Sequence, residues 1–241
     1  MLSFVVPAFN EEQLLGRTIC ALNAAGQALG EPFEVVVADD ASTDRTAEIA
    51  RDYSARVVSV NHRQIAATRN AGAKAATGEM LIFVDADTVV TEGAVRAAVV
   101  TMRRGAVGGG CATRFDGRIP LYARILLATV IPLYHLMGLA AGCFLFCTRG
   151  AFHAVGGFDE TMFAAEEVAM SRTLARQGRF VVLREHVTTS GRKLRTYSAR
   201  ELFGGLARLA LTGPKSVRRR EGLDMWYGER RTDPGDPAEP I

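Results

Sequence analysis

Cysteine is scarce, with four residues in a chain of 241, and only Cys143 and Cys147 lie close together. Their Cys-x-x-x-Cys spacing falls in an apolar run and fits neither a zinc site nor a disulfide framework, so Cys20, Cys111, Cys143 and Cys147 are expected as buried, reduced thiols. No Gly-x-Gly-x-x-Gly follows the first apolar run. Pro7-Ala-Phe-Asn10 stands there instead, which removes the close backbone approach that a dinucleotide cofactor needs. Gly213-Pro-Lys-Ser216 lacks the upstream glycine of a phosphate loop. No basic stripe interleaved with aromatics accompanies the net charge of +3, so nucleic acid is not an expected partner. Residues 1–10 run directly into a strand without the basic segment and cleavage site of a secretory leader, and a cytoplasmic location is expected.

At 48% hydrophobic and 23% charged, the chain has the composition of one sizeable globular domain. Leu2–Val6 reads as a buried strand, and Leu14, Leu15, Thr18, Ile19 and Leu22 then recur at helical spacing. The cycle repeats with a strand from Phe33 to Ala38 and a helix from Thr43 to Tyr53, then a strand from Arg56 to Val60 and a helix from Ile65 to Ala76. Met80–Val84 is the fourth strand. Such alternation predicts an α/β protein with a mostly parallel central sheet flanked by helices. A helix from Glu92 to Arg103, a glycine-rich strand near 105–114 and a strand from Gly142 to Cys147 follow. The apolar stretch Ile125–Cys147 is broken by Pro132, His135, Gly138 and Gly142; core packing is expected of it, with a membrane-apposed helix or a span as alternatives. Residues 184–231 carry 12 basic and 5 acidic side chains, a local excess suited to phosphates or anionic lipid. Asp233-Pro-Gly-Asp-Pro-Ala-Glu-Pro240 has the composition of a disordered tail.

In open α/β sheets ligands sit outside the carboxyl ends of the strands. Three polar clusters fall there: Pro7-Ala-Phe-Asn-Glu-Glu12, Asp39-Asp40-Ala-Ser-Thr-Asp44 and Asp85-Ala-Asp87. Paired carboxylates are hard ligands for Mg²⁺ or Mn²⁺, and such an ion in turn holds a diphosphate. Each cluster also has an ordinary explanation: acidic pairs occupy solvated turns, and Ser42 or Thr43 can cap the following helix. Their convergence on one rim favours a site.

The ordered set Val5-Val-Pro-Ala-Phe-Asn-Glu-Glu12, Val37-Ala-Asp-Asp-Ala-Ser-Thr-Asp44, Arg69-Asn-Ala-Gly72, Phe83-Val-Asp-Ala-Asp87 and Gly156-Gly-Phe-Asp159 followed by Ala165-Glu-Glu167 resembles the family 2 glycosyltransferases with a GT-A fold. The resemblance covers residues 2–180 and implies a nucleotide-diphosphate sugar donor. Pro7, Phe9 and Glu11 would line the base and ribose site, Asp40 would bond the base, and Arg69 and Asn70 would lie near the sugar phosphates. Asp87 would hold the metal, with Asp85 on ribose or metal and His186 a further candidate ligand. Thr189-Ser-Gly-Arg-Lys193 follows a further predicted strand, and its Ser190, Arg192 and Lys193 read either as a lid over the diphosphate or as a solvated basic turn. Members usually carry Glu-Asp where this chain has Glu166-Glu167. The match assigns the catalytic base to Glu167, and Glu166 remains an alternative; as first-turn acids, both also suit the helix macrodipole.

The implied activity is inverting, metal-dependent transfer of one sugar to an acceptor hydroxyl, on a lipid-linked or cell-envelope glycan. The expected division is a donor half at 1–110, an acceptor and base half at 111–197, a helical basic extension at 198–231 and the tail at 232–241. Peripheral contact with the inner face of a membrane would follow from the apolar 125–141 segment and the basic region. Two rival readings remain: a nucleotidyltransferase that makes a nucleotide sugar, and an inactive sugar-nucleotide or lipid binder.

Overall fold

A computed structural model describes residues 1–204, 217–223, 227–228 and 233. An eight-stranded sheet organises them, in the order β3-β2-β1-β4-β7-β6-β8-β5. Strands β1 (Leu2–Ala8), β2 (Phe33–Asp40), β3 (Arg56–Val60) and β4 (Met80–Val84) are mutually parallel, as the βα alternation predicts. Helices α1 (Leu15–Leu29), α2 (Thr46–Asp52) and α3 (Ile65–Ala75) make the crossovers. The second half is mixed. After β5 (Thr88–Val89) and α4 (Glu92–Arg103), strand β6 (Gly108–Phe115) leads through α5 (Leu121–Leu136) to β7 (Phe144–Thr148). Strand β7 runs antiparallel to both β4 and β6. Then come α6 (Arg149–Ala154), α7 (Glu166–Gln177), β8 (Phe180–Thr189) and α8 (Arg192–Thr196), with β8 parallel to β6 and closed at the edge by β5.

Both sheet faces are covered, so the central strands lack polar alternation: all seven residues of β1 are buried. One core layer gathers Phe4, Val6, Ile19, Val37 and Val95, and the opposite one Val5, Val36, Phe83, Leu145 and Leu174. Phe83 fixes the later chain to β4, stacking on Phe152 at 5.6 Å and meeting the edge of Phe158 at 5.0 Å. Gly156 and Gly157, at φ of 78° and 79°, supply the left-handed turn that brings Phe158 there.

Several expectations need correction. Helix α2 begins at Thr46 rather than Thr43, because the Asp44 carboxylate accepts from the Thr46 amide (3.0 Å) and hydroxyl (2.5 Å) and holds residues 41–45 in a turn. Ser42 is not a helix cap; its hydroxyl accepts from the Asn10 amide at 3.0 Å. Cys20 is exposed, unlike the other three cysteines. Of the apolar stretch Ile125–Cys147, Leu139, Ala140 and Cys143 to Cys147 are buried as expected, but its first part lies in α5, of which only Ala123 is buried while Leu121, Ile125, Leu133 and Leu136 face solvent. Among the described residues no helix is long and apolar enough to cross a membrane. Residues 199–204 are helical; most of 205–231, and the tail except Asp233, lie outside the described residues.

Gly72 explains one motif position by packing alone: a Cβ there would lie 2.5 Å from a Val5 methyl. Gly72→Ala is therefore expected to destabilise by about 1–3 kcal/mol through overpacking. Gly93→Ala, on α4 with no heavy atom closer than 4.0 Å, should instead stabilise by roughly 0.4–1 kcal/mol. Denaturant melts of both variants check the contrast, and equal effects would contradict it.

Candidate active site

The carboxyl ends of β1, β2 and β4 open on one cleft. Pro7, Phe9, Glu11, Asp40, Asp85 and Asp87 line it, as expected from the sequence. Arg63, Gln64, Thr68 and Lys193 complete the wall, with Arg220 and Tyr227 from the extension. The guanidinium of Arg63 lies 3.5 Å from the centre of the Phe9 ring, a stacked cation–π pair that gives the cleft a flat wall. Sequence reasoning missed Arg63, although it follows β3 and so occupies the same rim. Asn10, Ala41, Arg63 and Ala165 all have φ between 50° and 58°, and such left-handed non-glycine residues gather at functional sites.

The first two loops are tied to each other. The Asn10 side-chain oxygen accepts from Thr43 N (2.8 Å), Glu12 accepts from Arg45 N (3.1 Å), and Thr46 Oγ1 accepts from Glu11 N (2.8 Å). Much of both motifs is therefore scaffold. Asp40 accepts four hydrogen bonds, from the amides of His62 (2.6 Å), Arg63 (2.8 Å) and Gln64 (3.1 Å) and from Thr68 Oγ1 (2.7 Å). It lines the cleft, but its carboxylate already fixes the β3–α3 loop that carries Arg63.

Arg69 and Asn70 do not line the cleft. Asn70 is turned away from the cleft: its amide donates to Phe158 O (2.9 Å) and Glu160 (2.8 Å), and its oxygen accepts from Phe158 N (2.9 Å). Arg69 is 2% exposed and bridges Asp85 (2.7 Å), Glu166 (2.6 Å) and the Gly142 carbonyl (3.0 Å), with its guanidinium 5.3 Å from the Phe158 ring centre. Burial works against its charge, yet Asp85, Glu166 and Glu167 hold it protonated well above its ordinary value. Arg69 is thus a strut between carboxylates.

That strut separates the two glutamates. Ala165 in left-handed conformation starts α7 so that Glu166, 4% exposed, points inward to Arg69. Glu167 is half-buried beside Gly142, where a glycine Cβ would lie 3.4 Å from its carboxyl carbon. Burial, then the charge of Glu166, pushes its carboxyl up to about 8, with Arg69 opposing.

Asp87 is held at the opposite rim by Thr189 Oγ1 (3.3 Å), and its backbone oxygen accepts from Ser190 N (3.1 Å). Burial, followed by Glu11 and Asp85, pushes its carboxyl up to about 6, while Lys193 and Arg192 pull it down. Crowded carboxylates facing a cleft are a donor set that fits a hard divalent cation. Asp87 and Asp85 would hold it. His186 does not join them: it lies roughly 10 Å back along β8 from Thr189, and among the described residues no three His, Cys, Asp or Glu side chains gather as a metal cage. Arg192 is also not aimed into the cleft; one of its nitrogens sits 2.9 Å from both Glu11 oxygens. Lys193 from the same helix does line the cleft.

Removing Arg69 strands two carboxylates. Arg69→Met should cost about 3–5 kcal/mol, and adding Glu166→Gln should recover part of it. Denaturant midpoints of the single and double variants check this, and additive losses would contradict the strut.

Comparisons with known proteins agree with this geometry. The profile described as Glycosyl transferase family 2 matches residues 3–154. A validoxylamine A glucosyltransferase of Streptomyces hygroscopicus subsp. jinggangensis is 35% identical over 130 residues, covering 50% of this chain and 30% of that protein. An undecaprenyl-phosphate 4-deoxy-4-formamido-L-arabinose transferase of Pectobacterium carotovorum is 37% identical over 93 residues, covering 35% and 28%. The chain thus spans less than a third of these relatives' length. Among solved structures, S. aureus TarS with UDP-GlcNAc superposes at TM-score 0.62 and 23% identity, covering 88% of this chain and 65% of that one. The mannosyltransferase PcManGT of Pyrobaculum calidifontis, in complex with GDP-Man and Mn²⁺, gives 0.64 at 18% identity, covering 91% and 65%. The sheet and its helices are those of the GT-A fold, and the chain belongs to glycosyl transferase family 2.

Proposed function

We propose that this chain transfers one sugar from a nucleotide-diphosphate sugar to an acceptor hydroxyl, with inversion at the anomeric carbon and dependence on Mg²⁺ or Mn²⁺. One observation carries the reading: Arg69 ties Asp85 at the metal rim to Glu166, and so leaves Glu167, one residue on, as a half-buried carboxyl beside Gly142. The donor's base and ribose would lie along Phe9, Arg63 and Asp40, and its diphosphate between Asp87 and Lys193. The cation, when bound, supplies positive charge to the leaving diphosphate. Glu167 takes the proton of the acceptor hydroxyl as its oxygen attacks the face opposite that leaving group. The nucleotides and Mn²⁺ bound by TarS and PcManGT favour such a donor. A lipid-linked or cell-envelope acceptor at a membrane face is favoured by the arabinose transferase relative. A nucleotidyltransferase is disfavoured because the loop after β1 presents Glu11 rather than a basic, glycine-rich triphosphate cradle.

Thermal-shift titration with UDP- and GDP-sugars should show donor binding that Mn²⁺ strengthens, and Asp87→Asn should remove the Mn²⁺-dependent part. Binding indifferent to metal would contradict the role of Asp87. NMR of the product should show the anomeric configuration opposite to the donor's; retention, or release of pyrophosphate from a nucleoside triphosphate, would overturn the function. The raised Glu167 carboxyl fixes the pH sign: its base form fills only as pH rises, so kcat/KM should climb through neutrality and level off above about 8. A limb near the ordinary glutamate value of about 4.3 would remove Glu167 from the base role.

A further inference from the structure

We propose that the exposed face of α5 docks on an anionic membrane surface, with its apolar stripe entering the headgroup boundary and the arginines around it meeting lipid phosphates. Leu121, Ile125, Leu133 and Leu136 are 67%, 61%, 52% and 85% exposed, and Met137 just beyond is 51% exposed. At about 100° per residue, Leu121, Ile125, Ala128, Pro132 and Leu136 fall on one side of the helix. Phe203, 46% exposed and 6.3 Å from the Tyr122 ring, extends the patch. A contiguous apolar face of this kind marks an interaction surface.

Charge selects the occupant. No Asp or Glu occurs between Gly117 and Phe158, whereas Arg118 and Arg124 are exposed at the start of α5, with exposed Arg114 on β6 and Arg200 one turn before Phe203. An apolar helix bordered by cations suits an interface of acyl chains and anionic headgroups. A second copy of the chain fits poorly, since a two-fold contact would bring the same arginines face to face.

The docking face also borders the proposed acceptor side. At one end Tyr122 donates to Tyr197 O at 2.8 Å, tying α5 to α8 and hence to Lys193. At the other end Tyr134 is pushed up by burial and then by the charge of Glu167. Ser171 links the same region, accepting from Ala140 N (3.1 Å) and donating to Glu167 O (2.8 Å). A membrane-held acceptor would arrive between these ends. That consequence rests on the sugar-transfer reading, but the docking itself does not.

Flotation of the full chain without donor tests it, using phosphatidylcholine vesicles with and without phosphatidylglycerol. The chain should float with the anionic vesicles at low salt and be released in large part near 1 M salt, where the Debye length falls to about 3 Å. Ile125→Ser with Leu136→Ser should lower partition by about tenfold or more, and Arg118→Glu with Arg124→Glu should abolish the preference for phosphatidylglycerol. Unchanged melting temperature and donor binding in these variants separate lost docking from lost folding. Wild type that stays at the bottom, variants that float like wild type, or a dimer dispersed by Leu136→Ser in place of vesicle binding would each overturn the proposal. Vesicle binding without sugar transfer would leave docking intact and sink the transfer reading.

Discussion

The buried guanidinium of Arg69 is the charge on which both sides of the cleft depend. It joins β4, through Asp85, to the start of α7, through Glu166, across the Gly142 carbonyl that precedes β7. Arg69 and Glu166 are almost fully buried and Asp85 reaches the cleft, so removing the guanidinium leaves the buried Glu166 charge without its partner. The Phe158 ring beside Arg69, itself held by Phe83, packs against the guanidinium in the same core layer. The parallel half and the mixed half of the sheet are thus linked by packing and by one cation.

The same constraint divides labour among the acids. Asp85 and Glu166 share a fixed positive charge, whereas Asp87 and Glu167 have their acid forms favoured by burial and by neighbouring carboxylates. On the proposed function, groups held this way would respond to what enters the cleft: a cation would stabilise the ionised form of Asp87, and an acceptor hydroxyl would give Glu167 a proton to take. The extra methylene of Glu167, relative to the aspartate usual in the family, is accommodated beside Gly142, where any side chain would approach its carboxyl carbon.

Periodicity made the first half of the fold legible, because four buried strands with three amphipathic crossovers leave little freedom of topology. Motif order made the rim legible. What local sequence could not disclose was direction: Arg69 and Asn70 share a helix and a motif with cleft residues, yet contacts 88 to 97 positions away turn both inward. Arg192 is likewise claimed by Glu11, 181 positions distant. The apolar stretch Ile125–Cys147 reads as core by composition, and only the exposure of Ile125, Leu133 and Leu136 shows that its helical part faces outward. Arg63 was hidden for another reason: its role comes from a left-handed backbone and from Asp40 holding the loop beneath it.

The division between Glu166 and Glu167 is tested most directly by turnover of Glu166→Gln and Glu167→Gln side by side, at saturating donor and normalised to folded protein. The expected result is a loss of roughly 10²–10⁴-fold in Glu167→Gln with little change in melting temperature. Glu166→Gln should lose stability foremost and keep most of its turnover per folded molecule. A folded Glu167→Gln with full turnover, beside a stable but inactive Glu166→Gln, would contradict the division and move the base to Glu166.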